Sequence, residues 1–387
     1  MRILFSFVGG NGHLLPLVAI AHAAENAGHT INFVSHASMS STVKAQGFDC
    51  LSFGIASTDK PQKTPLLAVD MQHEEDVLRE HFVRKAGRVR AKKIISICSN
   101  WKPDITVCDE VDFGAMIAAE YLGIPHATVI VIAAGSFIHP DVVGEALDEL
   151  RAEFGLAPDP SLKMLSRYLV LSPVPFSYRD PASPYPATTH FIQPSMPDLE
   201  TEYSIIDEQK DVPIVYFTLG TVFNLESGDL FSRVIKGLRD LPIRLIVTVG
   251  RHIEPEEFGT QPDNVIIAQY IPQTKILRHC DLVVSHAGSG SVIAALAYGL
   301  PMLLIPMGAD QPLNATRCEA LGVSKVLDAV KASPDMIRDA VWSILNTESY
   351  RLAAQHMQDE ILSMPPVPSA VELLEQIGQT GQAIFSP

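Results

Sequence analysis

Through the first half of the chain, short apolar runs alternate with longer stretches in which apolar residues recur every three or four positions. RILFSFV from Arg2 reads as a buried strand, Leu14 to Ala27 as a helix stopped by Gly28, and TINFVS from Thr30 as a second strand. A long charged helix is expected over roughly His73 to Ser99. The strand DITVC, a helix from about Asp112 to Leu122 and the strand ATVIVI follow it. A proline-rich stretch, Pro173 to Pro197, then disfavours sustained helix. Beyond it the scheme repeats, with strands in PIVYFTL, RLIVTV, NVIIAQ, DLVVS and PMLLIP, and helices around Leu230 to Leu238, Ser289 to Tyr298 and Ala309 to Leu321.

Strands alternating with helices imply right-handed βαβ units and parallel sheets covered on both faces. The expected fold class is therefore α/β, with two doubly wound, Rossmann-like parallel-sheet domains facing a central cleft. We place an N-terminal domain at 1–200, a linker near Met196 to Asp211, a C-terminal domain at 212–365, and a C-terminal helix over 366–387 with the option of packing back on the first domain. Open α/β sheets bind ligands at the carboxyl ends of their strands, which makes those ends the places to search.

The length of 387 residues agrees with two domains. No apolar run reaches the ~20 residues needed to span a bilayer, and MRILFSFVGG is too short for a secretory leader, so a cytoplasmic location without membrane insertion is expected. Cys50, Cys98, Cys108, Cys280 and Cys318 have neither metal-site spacing nor disulfide-scaffold density. A net charge of −15 argues against nucleic acid as a partner, because phosphate backbones need clustered Lys and Arg. Any anionic ligand must then be held by backbone N–H groups and dipoles.

Two glycine clusters carry the chemistry. In the first, Val8-Gly9-Gly10-Asn11-Gly12-His13-Leu14-Leu15-Pro16, a dinucleotide fingerprint starting at Gly10 would need glycine where Leu15 stands, and no acidic residue closes the second strand. His13 falls near a helix N-terminus, whose dipole favours a neutral ring able to accept a proton. Asp109 ends a strand of the same half and is a possible orienting carboxylate. The residues alone leave a second reading open, in which His13 caps one helix and Asp109 starts the next. The other cluster, His286-Ala287-Gly288-Ser289-Gly290-Ser291, joins a strand to a helix and suits a diphosphate: glycines for close approach, hydroxyl donors, and free helix-end N–H groups.

The segment from Tyr270 to Leu327 resembles the donor-site signature of family 1 glycosyltransferases of GT-B fold, the group that includes bacterial natural-product and antibiotic enzymes. An aromatic-x-Pro-Gln, a His-x-Gly-x-x-Ser turn, a Gly-Leu-Pro strand entry and Asp310-Gln311 followed by Asn314-Ala315 stand in the family's order. Gly10-x-Gly12-His13, Asp109 with Gly123-Ile124-Pro125, and YFTLGTVFN are similar to its other marks.

The resemblance implies an inverting, metal-independent transferase, with His13 as general base and Asp109 as its partner, and with Asp109 or Asp112 next in line should the base lie elsewhere. It implies a donor site of Gly12, Thr221, Tyr270 against the nucleobase, Ile271, Gln273, His286, Gly288, Ser289, Gly290 and Ser291, with Asp310 and Gln311 on sugar hydroxyls. Ala294 stands where many UDP-sugar users carry a ribose-binding glutamate, so a dTDP-sugar is expected over a UDP-sugar as co-substrate, with no further cofactor and no metal. Phe137, Phe176 and Tyr178, in loops rich in proline and aliphatics, are candidates to line a hydrophobic acceptor's pocket. Transfer of a (deoxy)sugar to a natural-product aglycone by a monomer or homodimer is the resulting expectation. A lipid-linked-sugar transferase, a nucleotide-sugar epimerase of the same fold and a non-catalytic nucleotide-binding partner protein are the alternatives.

Overall fold

The computed structural model describes residues 1–56, 62–195, 212–221 and 223–386. It divides into two compact units, the first made of Met1–Thr58, Met71–Ser195 and Met364–Pro387, the second of Asp59–Asp70 and Met196–Ser363. The linker expected at Met196 to Asp211 lies outside the described residues.

The first unit is a seven-stranded parallel sheet. Its strands are β1 (Arg2–Ser6), β2 (Thr30–His36), β3 (Cys50–Phe53), β4 (Ile105–Asp109), β5 (His126–Val129), β6 (Leu169–Ser172) and β7 (Thr189–Phe191), in the spatial order β3-β2-β1-β4-β5-β6-β7. The chain winds outward from β1 on one side and from β4 on the other, so the order reverses between β1 and β4. Ile3 pairs in register with Ile31 and Ile105, and this centre is buried on both faces, as continuous apolar runs in parallel strands require. The second unit holds β8 (Ile214–Thr218), β9 (Arg244–Thr248), β10 (Val265–Ala268), β11 (Leu282–Ser285), β12 (Met302–Leu304) and β13 (Ser324–Val326), in the order β10-β9-β8-β11-β12-β13, also all parallel. Its order reverses between β8 and β11.

The helix after β1 begins at Asn11, three residues ahead of the expected start, and Pro16 therefore lies inside it rather than in its opening turn. The proline leaves the Gly12 carbonyl without its usual i+4 donor. The helical run expected from His73 is helical from Met71 to Trp101, with a wider π-helical turn over Leu78–Gly87. At the chain's end, the helix Ser369–Thr380 buries Ala370, Val371, Leu374 and Ile377 in the first unit's core, and Glu375 lies 3.0 Å from His29. No helix among the described residues is long and apolar enough to cross a membrane.

Candidate active site

In the first unit the reversal of strand order puts the ends of β1 and β4 side by side, the place where open α/β sheets leave a crevice. Asp109 closes β4 and is fully buried. One of its oxygens accepts the Val8 N–H at 2.8 Å, the other the Val111 N–H at 2.9 Å. The carboxylate therefore pins the turn that carries Gly9 and Gly10. The oxygen bonded to Val8 also lies 3.5 Å from His13 Nδ1, while the histidine side chain keeps about a quarter of its surface exposed, at 26%. At 3.5 Å the contact is longer than a good hydrogen bond, and it is an ion pair only when the ring is protonated.

Gly9, at φ +98°, makes room for this ring: a Cβ there would stand 3.0 Å from His13 Cδ2 and also force a left-handed side-chain residue. Gly12, by contrast, has no atom within 4 Å of where its Cβ would be. Asp112 is committed elsewhere. It caps the helix Phe113–Leu122 through the Ala115 N–H at 3.1 Å, accepts the Ser6 hydroxyl at 2.5 Å, and forms a buried ion pair with Arg90. Burial opposes the Arg90 charge, yet Asp112 beside it holds the guanidinium above its ordinary pKa. That pairing removes Asp112 from the residues able to take a substrate's proton.

In the second unit the corresponding ends are those of β8 and β11. His286 follows β11, is 8% exposed, and sits between Gly220 and Gly288, where a Cβ would approach its ring to 2.6 and 2.5 Å. Only glycine at both positions leaves space for the imidazole. Its Nδ1 is buried with no hydrogen-bond partner among the described residues, and burial pushes its pKa down to about 4, so the ring is neutral. Gly288 precedes the helix Ser289–Ala297 with no side-chain cap, so the first N–H groups of that helix have no intrahelical acceptor.

Ser289 Oγ donates to Asp310 at 2.7 Å, and Asn314 Nδ2 donates to Asp310 at 2.8 Å and to the Ala287 carbonyl at 3.0 Å. Ala287 and Ala309, neighbours of His286 and Asp310, both adopt positive φ, at 67° and 51°. Asn314 thus ties two strained turns together. The sequence motif contains it, but its bridging role becomes visible only in the structure.

Gln311 is almost wholly buried, and its carbonyl accepts the Met307 and Gly308 N–H groups at 2.8 and 3.3 Å, which engages that oxygen inside its own turn. Tyr270 is exposed with the Arg251 guanidinium 5.6 Å from its ring centre, Ile271 buries its side chain, and Gln273 reaches Ser291 Oγ at 3.4 Å. Thr221 is exposed in the turn after β8, and Gly290 is open on its Cβ side. The three aromatic acceptor candidates separate. Tyr178 is fully buried and Phe137 nearly so, which makes both packing residues here. Phe176 is 69% exposed and stands 6.2 and 6.0 Å from the rings of Tyr185 and Phe191.

Two doubly wound parallel sheets with their crevices at β1/β4 and β8/β11 are the GT-B architecture, and solved structures bear this out. The glycosyltransferase VinC in complex with dTDP superposes with a TM-score of 0.75 at 21% identity, over 98% of this chain and all of VinC. The spinosyn rhamnosyltransferase SpnG complexed with spinosyn aglycone gives 0.78 at 21%, over 97% of this chain and all of SpnG. More narrowly, residues 232–377 match the family described as erythromycin biosynthesis protein CIII-like, C-terminal domain. Over 97% of its length the chain is 23% identical to 3-alpha-mycarosylerythronolide B desosaminyl transferase of Saccharopolyspora erythraea, of which it covers 98%. The resemblance to GT-B natural-product glycosyltransferases read from the motifs stands, and a glycosyltransferase is the enzyme class these relatives support.

Proposed function

We propose that the protein is an inverting, metal-independent glycosyltransferase that moves a sugar from a dTDP-sugar to a hydroxyl of a hydrophobic natural-product aglycone. The observation that carries this reading is the His13–Asp109 pair, a partly open histidine with its Nδ1 turned to a buried carboxylate at the crevice of the first sheet. With Nδ1 holding its proton toward Asp109, Nε2 offers a lone pair.

In the proposed step Nε2 takes the acceptor hydroxyl's proton while that oxygen bonds to the anomeric carbon. The bond from this carbon to the diphosphate oxygen breaks on the opposite face, so the configuration inverts. Asp109 stabilises the imidazolium that forms. Charge growing on the departing diphosphate meets the helix-end N–H groups of Ser289 to Ser291, the neutral His286 and nearby hydroxyls, which are oriented before the reaction begins. The exposed Tyr270 suits stacking on the nucleobase, and Asp310, held by Ser289 and Asn314, suits a sugar hydroxyl. Ala294, half-buried on the helix Ser289–Ala297, has no polar atom to offer a ribose 2′-hydroxyl, in keeping with a dTDP donor such as the ligand of VinC.

The test is a transfer assay with dTDP-glucose or UDP-glucose and a promiscuous phenolic acceptor, with and without EDTA. The proposal expects a β-glucoside from the α-linked donor, preference for dTDP and indifference to EDTA. An α-glucoside, a strong UDP preference or loss of activity on chelation would each overturn the corresponding part. Absence of transfer from either donor would favour a silent nucleotide-binding protein.

A further inference from the structure

Glu110 follows Asp109 directly, is 7% exposed, and belongs to neither site described above. Its Oε1 accepts two consecutive backbone N–H groups, from Val131 at 2.6 Å and Ile132 at 2.5 Å. Two successive amides converging on one oxygen form a small anion-binding nest, filled here by the protein's own carboxylate. The strand expected to run through Ile132 ends at Val129: the Ile130 N–H still donates to the Leu171 carbonyl of β6 at 2.9 Å, and the two amides after it turn to Glu110.

The other side of the same turn is held by the segment after β6. Arg179 donates to the Ile132 carbonyl at 3.4 Å and to the Ser183 carbonyl at 2.9 Å, and stacks 4.9 Å from the Tyr185 ring centre. Gly135 has φ +89°, and a Cβ there would overlap the Arg179 guanidinium. Ser136 donates to Asp180 at 2.7 Å, and Ser183 Oγ to the Gly135 carbonyl at 3.0 Å. The turn 130–136 is thus clamped between a buried carboxylate and a half-buried guanidinium.

Its position gives the clamp a purpose. Asp109 is the register partner of Val129, so the clamped turn leaves the sheet on the strand next to β4, whose last residue carries the carboxylate that faces His13; the two backbones are about 4.8 Å apart. Val131, half-buried, is its first side chain with surface to offer. We infer that Glu110 and Arg179 are positioning residues that fix the 130–136 turn as a wall for the acceptor beside the His13–Asp109 pair. The inference rests on the transfer reaction proposed above.

The test compares wild type with Glu110→Ala, Glu110→Gln and Arg179→Lys, reading KM for acceptor, KM for donor, kcat, and amide hydrogen exchange of residues 127–137. Glu110→Ala is expected to raise the acceptor KM about tenfold, with donor KM within twofold, and to lose protection at Val131 and Ile132. Sodium formate, entering the emptied nest, restores both. Glu110→Gln, which keeps an acceptor oxygen, is expected to fall between. Should Glu110→Ala fail to fold, Glu110→Gln and Arg179→Lys carry the same comparison. Loss of protection without change in acceptor KM overturns the inference while leaving the transfer reading intact. A wild type that transfers no sugar overturns the transfer reading instead, and with it the acceptor role, while exchange and formate still report whether the clamp exists.

Discussion

The two units share a winding scheme and differ in what they place at its turning point. In the first, the glycine turn after β1 leads to a histidine and β4 ends in a carboxylate, 3.5 Å from its ring. In the second, the turn after β8 offers Gly220 with no side chain, and the histidine comes from β11, packed between Gly220 and Gly288 without a charged partner. One histidine is partly open and paired, the other buried and neutral. The same topology thus holds a partly open, carboxylate-paired ring in one half and a buried, neutral ring in the other, the contrast on which the proposed function rests. The two rings come from different strands of the central pair, one after β1 and one after β11, and differ in their surroundings as well.

The largest effect expected from breaking this contrast is at Asp109. Asp109→Asn keeps an acceptor oxygen for only one of the Val8 and Val111 N–H groups and removes the charge facing His13, and kcat should fall by about 10²–10⁴-fold with donor KM little changed. Steady-state kinetics checks it, and a kcat within threefold of wild type would remove Asp109 from the mechanism. On the other side, His286→Ala should weaken nucleotide binding by about 2 kcal/mol, the worth of a hydrogen bond to a charged group, measurable by calorimetry with dTDP. Equal affinities would show that the cradle works without the ring.

Next comes Gly220→Ala, which meets both a positive φ and the His286 ring. It should cost about 2 kcal/mol of stability and lower Tm by several degrees in a thermal scan. The smallest effects are in pH dependence, and the two halves should respond in opposite directions. His286 has its pKa lowered to about 4 from 6.5, so its contribution is present above pH 6.5 and is lost as pH falls toward 4. Burial pushes Glu110 up to about 7 from 4.5, against Arg179 and the two N–H groups. Its contribution is present below pH 4.5 and is lost as pH rises through 7. Each shift corresponds to about 3 kcal/mol. Denaturant titrations at several pH values should show a flatter acid side for His286→Asn and a flatter neutral side for Glu110→Gln.

The architecture was readable because its signals are regular. The helix Leu230–Leu238 has the expected bounds, and each of the five runs read as strands in the second half, PIVYFTL, RLIVTV, NVIIAQ, DLVVS and PMLLIP, holds one. The strands β3, β6, β7 and β13 have only three or four residues, too few to show a period, and β7 lies on the sheet edge within the proline-rich stretch. At the sites, residue types announced themselves where local spacing fixes the chemistry, as in HAGSGS and GGNGH. What escaped were partners distant in sequence. Asp112 looks available until Arg90, 22 positions earlier, is found against it. Glu110 looks like one acid in a cluster until the amides of Val131 and Ile132 close on it. Tyr178 and Phe137 share with Phe176 an aromatic identity and a loop setting, and only packing separates a core ring from an exposed one.

The central claim is that proton acceptance belongs to the first site and nucleotide binding to the second. His13→Ala tests it most directly, with transfer measured by product formation and dTDP affinity by calorimetry on the same preparation. The account predicts transfer reduced by at least about 10³-fold, with the dTDP dissociation constant within twofold of wild type. Transfer that survives the substitution, or affinity that falls along with it, would contradict that division of labour.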